Sequence, residues 1–230
     1  YQVEAVDQGR RVVYRRVEDY WAADLPLKRG RHNIDEISYD YYRDGTVAVQ
    51  ALKAGEYHLR QENVARNWAT AYDTPAVSEG LLKLEAIPHN RPAGMQGFFY
   101  NTRRAIFSDP KVREALAYAF DFEWTNENLF YGAYTRTRSY FENSELAATG
   151  TPSDDELALL APYRDELPER VFTEAYEPPS TKNGDRRGNL RQALKLLREA
   201  GWAVQDDVLT HVESGREMDF EILLVSPSFE

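Results

Sequence analysis

Residues 94–132 read GMQGFFYNTRRAIFSDPKVREALAYAFDFEWTNENLFYG, and the fold is read outward from them. Residues 97–100 form a short apolar run, the pattern of a buried strand. Asp109 offers a side-chain acceptor to the unpaired N–H groups of a helix start. Pro110 then takes the first helical position, where its missing N–H costs nothing. Val112, Ala115, Leu116 and Ala119 recur at helical spacing, which gives that helix one apolar stripe. A second helix is expected from about Glu123 to Tyr131, with Gly132 as its stop.

Upstream, Leu82, Leu84 and Ala86 alternate with Lys83 and Glu85, and Pro88 closes this expected strand. Residues 58–60 are a shorter strand candidate. Asp44 can cap a helix whose stripe is Val47, Ala48, Ala51 and Leu52, ended by Gly55. Ile37, Tyr39 and Tyr41 share one face of another strand, and residues 11–17 alternate with Val12 and Tyr14 on one side. Between them, residues 19–30 are irregular. Downstream, Leu190, Ala193, Leu194 and Leu197 make an amphipathic helix, Gly201 suits the left-handed position after it, and Trp202 can fold back on Leu197. Residues 220–225 are apolar on both faces, as a central strand would be. Strands alternating with helices place the chain in the α/β class, with a mixed sheet covered by helices.

Composition narrows the function. The net charge of −10 gives nothing to offset phosphate repulsion, so no nucleic acid is expected as a partner. Much of the acidity is local: Asp154, Asp155, Glu156, Asp165, Glu166, Glu169, Glu174 and Glu177 face only Arg164 and Arg170 in one segment, which reads as a solvated surface excursion. No run approaches the roughly 20 apolar residues of a membrane span, and the absence of cysteine excludes disulfides and thiolate metal sites. The first residues carry neither a basic start nor an apolar run, and both ends read as cut from something longer.

No catalytic signature is present: neither a Gly-rich phosphate loop, nor a nucleophile elbow, nor a zinc-protease motif. The four histidines are scattered. His58 and Glu62 would share a helical face, but that stretch reads as strand and loop. The expectation is therefore of no enzyme, no cofactor and no metal.

Several blocks in order resemble a known family. Tyr100-Asn101-Thr102, Phe107-Ser108-Asp109, Val112-Arg113-Glu114-Ala115-Leu116, Ala119-Phe120-Asp121 and Tyr131-Gly132 resemble the most recognisable stretch of the family 5 (cluster C) periplasmic solute-binding proteins, which include dipeptide- and oligopeptide-binding proteins. Tyr1 with Gly9-Arg10, residues 16–21, residues 51–57 (ALKAGEY) and residues 193–202 (ALKLLREAGW) agree in order. Residues 39–47 (YDYYRDGTV), 67–73 (NWATAYD), 122–126 (FEWTN) and 140–145 (YFENSE) are similar to a subgroup serving importers of microcin C-type and other antimicrobial or cell-wall-derived peptides.

The resemblance implies a periplasmic-binding-protein type II fold, with residues 1–33 a terminal strip of lobe one and residues 34–230 the bulk of lobe two, truncated at its C-terminal end. It implies a periplasmic substrate-binding component of an ABC transporter, which captures peptides and delivers them to an inner-membrane ABC permease without itself spanning the membrane. Loop residues at strand ends and after the second helix are the candidate ligand contacts: Glu62, Asn63, Trp68, Asn101, Arg103, Arg136, Arg138 and Tyr140. Arginine suits a peptide carboxylate and an aromatic ring suits a pocket wall. A nickel complex or an oligosaccharide in the same scaffold, or a mixed α/β peptide- or glycan-processing enzyme, remain the alternatives.

Overall fold

The computed structural model describes residues 1–224. The strands are β1 (Gln2–Asp7), β2 (Arg11–Arg15), β3 (Glu36–Asp40), β4 (Trp202–Gln205) and β5 (Val208–His211). The helices are α1 (Gly45–Lys53), α2 (Ala65–Thr70), α3 (Pro75–Ser78), α4 (Ala105–Ser108), α5 (Pro110–Ala119), α6 (Phe122–Asn128), α7 (Asp154–Leu160), α8 (Arg170–Thr173) and α9 (Arg186–Glu199). The chain divides into two compact units. One combines Tyr1–Asn63 with Thr70–Lys83, and the other combines Val64–Ala69 with the chain from Leu84 onward.

In the first unit, β1, β2 and β3 form an antiparallel sheet in that order. Gly9, at φ +77°, turns the chain between β1 and β2, and the Arg10 N–H donates to the Asp7 carbonyl across the turn. The β2–β3 register places Val13 opposite Ser38 and Tyr14 opposite Ile37. Cross-strand charges accompany the ladder: Arg15 pairs with Glu4 at 2.6 Å and Glu36 at 3.2 Å, and Arg11 pairs with Asp40. The arginines of these pairs are solvent-exposed, so the pairs favour the register more than they stabilise the fold. β2 and β3 pair directly, so the whole of this sheet lies in the first unit.

Asp44 caps α1 as its sequence implied, its side chain accepting from the Val47 N–H at 2.9 Å. The buried face of α1 is Ala48, Val49 and Leu52, while Val47 is exposed. The expected stripe was thus one position off at its edge. Val49 and Leu52 pack with Tyr72 in a small cluster that Tyr57, Ala71, Val77 and Leu82 cover.

The second unit holds the larger core. Ile106 and Phe107 from α4, Val112 and Ala115 from α5, Ala193, Leu196 and Leu197 from α9, and Trp202 from β4 form one buried cluster. Asp109 accepts from the Lys111 N–H at 2.8 Å and Pro110 begins α5. Gly201 has φ +82°, and Trp202 packs into the same cluster as Leu197. The hairpin β4–β5 was not foreseen. Its two-residue turn, Asp206 and Asp207, has both residues left-handed, at φ 49° and 65°. Helix α7 was also missed, although Ser153 and Glu156 form a reciprocal capping box.

Four strand expectations fail among the described residues. Residues 58–60, 82–86, 97–100 and 220–224 belong to no strand. Phe98, Phe99, Ile222 and Leu223 are exposed rather than buried. Apolar alternation favours extended backbone, but a strand exists only where a neighbour takes its N–H and C=O groups. Among the described residues the strands pair antiparallel in two small sheets. Val225, the end of the last expected strand, lies outside the described residues.

Candidate functional site

Glu62 sits in a buried polar network of the first unit, its side chain only 3% exposed. One carboxylate oxygen accepts from the Arg60 Nε at 3.0 Å and from the Tyr72 hydroxyl at 2.6 Å. The other accepts from the Asn63 N–H at 3.0 Å. Burial, and then the Glu62 carboxylate, push the Tyr72 phenol up to about 12. Burial alone would lower the Arg60 pKa, but hydrogen bonds to Glu62 and Tyr57 outweigh it and raise the value. Glu62 therefore anchors the segment leading to Asn63, which is exposed. Trp68, on α2 in the second unit, is 42% exposed.

Asn101 and Arg103 are brought together. The Asn101 side-chain oxygen accepts from the Arg103 N–H at 3.3 Å and its Nε at 3.2 Å, and the Asn101 carbonyl accepts from the Arg104 N–H. This local turn feeds directly into α4 and the core.

Arg136, Arg138 and Tyr140 share the segment after α6, yet their surroundings differ. The Arg136 guanidinium carbon lies 5.2 Å from the Phe120 ring centroid and 5.2 Å from that of Phe122. Arg138 is exposed and pairs with Glu177 at 3.2 Å, and its N–H donates to Glu142 at 3.1 Å. Tyr140 is exposed. Asn126 holds the start of this segment, donating to the Tyr134 carbonyl at 2.8 Å and accepting from the Tyr134 N–H at 3.0 Å.

A further network beside this segment had no sequence signal. Asp121 caps α6 through the Trp124 N–H, and its Oδ1 accepts from the Thr181 hydroxyl at 2.5 Å. Glu123 accepts from the Ser180 hydroxyl at 2.6 Å and from the Thr181 N–H and hydroxyl, both at 3.0 Å. Burial alone would raise the Glu123 carboxyl, but these donors outweigh it and hold the group at about 2. The partners lie 57 to 60 residues apart in sequence, a distance no local pattern can bridge.

Two concavities stand out among the described residues, and neither is lined by a nominated residue. A shallow one of about 400 Å³ is bordered by Asn90, Asn143, Ser144 and Glu145. Another, of about 320 Å³, lies in the first unit and includes Arg16, Tyr20, Lys28, Arg31 and His32. No helix of the described residues is long and apolar enough to cross a membrane.

Solved structures share this arrangement. The oligopeptide-binding protein AppA of Bacillus subtilis, determined in complex with a nonapeptide, superposes with a TM-score of 0.54 at 18% identity, over 94% of this chain and 34% of that one. The fold is that of the type II periplasmic-binding proteins. Residues 1–227 match the family model described as bacterial extracellular solute-binding proteins, family 5, middle region, and the chain belongs to that family. Among its relatives, the uncharacterized protein YejA of Escherichia coli is 45% identical over 99% of this chain, and the probable peptide-binding protein YejA of Agrobacterium fabrum is 41% identical over all of it. The chain spans 38% of the length of either relative.

Proposed function

We propose that this chain is part of the substrate-binding component of an ABC importer that captures peptides in the periplasm and hands them to an inner-membrane permease. The observation that carries the reading is the match along residues 1–227, joined to a relative described as peptide-binding at 41% identity. A peptide would lie between two lobes, with residues 1–33 belonging to lobe one and residues 34–230 to lobe two. Backbone hydrogen bonds would hold it whatever its side chains. On the second lobe, contacts would come from Asn63, Trp68, Asn101, Arg103, Arg136, Arg138 and Tyr140, with Glu62 fixing the segment that carries Asn63. Cell-wall-derived or antimicrobial peptides are the class favoured by the wording of residues 39–47, 67–73, 122–126 and 140–145.

Calorimetric titration of the full-length protein with short peptides tests the reading. Saturable binding is expected, with stabilisation of about 2.7 kcal/mol at a hundredfold excess over Kd. The 230-residue chain alone should bind far more weakly, because one side of a cleft leaves the ligand in water. Failure of every peptide, together with tight binding of a nickel–histidine complex or an oligosaccharide, would overturn it.

A further inference from the structure

Arg136 is half-buried, and among the described residues it makes neither an ion pair nor a hydrogen bond. What holds it is a pair of aromatic faces, Phe120 and Phe122, each 5.2 Å from the guanidinium carbon. Phe98 extends this aromatic wall, edge-on to Phe120 at 6.0 Å, and is itself 58% exposed. Cation–π contact engages the face of the guanidinium and spends none of its five in-plane N–H donors.

Many other arginines of this unit have acceptors, and those without one among the described residues, Arg91, Arg187, Arg198 and Arg216, are exposed and lack an aromatic support. Arg138 is paired with Glu177, Arg104 with Glu221 and Arg170 with Glu114. Arg113 donates to the carbonyls of Phe107 and Ser108, and Arg103 to Asn101. Arg164 also stacks on an aromatic ring, Phe172 at 4.5 Å, but it is satisfied by Glu169 at 3.0 Å. Arg136 has the same aromatic support without the acid.

We propose that Arg136, fixed by Phe120 and Phe122, is the receptor for the α-carboxylate of a bound peptide. A planar fork of donors matches a planar oxyanion in two parallel hydrogen bonds. A single cation beside an apolar wall suits a monoanion, whereas a dianionic phosphate would need further charge. The proposal rests on the peptide-binding reading above.

The test is calorimetric titration of the full-length protein with one peptide sequence in three forms: free C-terminus, amidated C-terminus, and amidated with a glutamate side chain near the end. The wild type should prefer the free form roughly tenfold or more, as loss of charge-assisted hydrogen bonds implies. Arg136→Ala should abolish that preference, and Arg136→Lys, which keeps a cation over the rings without the fork, should reduce it severalfold. Arg164→Ala should leave it intact. If Arg136→Ala weakens all forms alike, the residue is structural and the assignment fails while peptide binding stands. Equal wild-type affinity for free and amidated forms sinks it in the same way. Arg136-dependent recovery by the glutamate peptide would move the site from the terminus to a side chain and overturn the α-carboxylate assignment. If no form binds the wild type, the peptide reading falls and the assignment falls with it.

Discussion

Neutralising Glu123 isolates one polar staple between the start of α6 and the turn at Ser180 and Thr181. In the folded chain this carboxyl is held at about 2, against an ordinary 4.5, because three donors outweigh the opposing effect of burial. Each pH unit of such a displacement is worth about 1.4 kcal/mol, so about 3 kcal/mol is the ceiling. The side chain is half-buried, and solvent screening lowers the expectation for Glu123→Gln at neutral pH to roughly 1–3 kcal/mol. The sign follows from the depressed value. The fold prefers the ionised form, so the stabilisation is complete above 4.5 and disappears as the pH falls toward 2. Glutamine does not titrate, so the gap between wild type and variant should close over the same window. Urea unfolding followed by circular dichroism, near neutral pH and again at about pH 3, measures it, provided the urea slope is unchanged. Ser180→Ala should raise the carboxyl toward its ordinary value, visible in the side-chain NMR titration. A gap of equal size at both pH values would refute the electrostatic account, as would no gap at neutral pH.

Tyr72 titrates in the opposite sense. Its phenol is raised to about 12 by burial and Glu62, so the fold favours the neutral form; that contribution should be intact below about pH 10 and lost as the pH climbs through the folded value. Alkaline unfolding curves should show this dependence in the wild type and not in Tyr72→Phe; an identical alkaline midpoint would count against it. Gly201→Ala should cost about 1–2 kcal/mol, because φ is +82° and the added Cβ would stand 3.0 Å from the His211 Nε2; thermal melts of the two chains would reveal the loss, and an unchanged Tm would contradict it.

The helix ends were legible because their signals are local. Asp44, Asp109 with Pro110, and Gly201 each act on backbone within a turn of themselves, and each sits where its chemistry requires. Strands were less so. Residues 97–100 have a composition that favours a buried strand, yet Phe98 and Phe99 are exposed and unpaired in the described residues. The pairing partner is a fact about distant chain, and periodicity contains nothing about it. The β4–β5 hairpin escaped for another reason: Asp206-Asp207 lacks the glycine that advertises a tight turn, although aspartate tolerates the left-handed region.

The same distinction governs the candidate site. Residue type nominated Glu62, but type does not reveal that its carboxylate accepts from Arg60, Tyr72 and the Asn63 N–H and so fixes the local loop. Arg136 and Arg138 are two positions apart and indistinguishable by type. Glu177 answers one of them from 39 residues away, and Phe120 and Phe122 hold the other without an acid. The proposal for Arg136 rests on this difference in surroundings, which residue type does not carry. The aromatic pair fixes the orientation of Arg136 while leaving its donors unspent, which is what recognition of an incoming carboxylate requires.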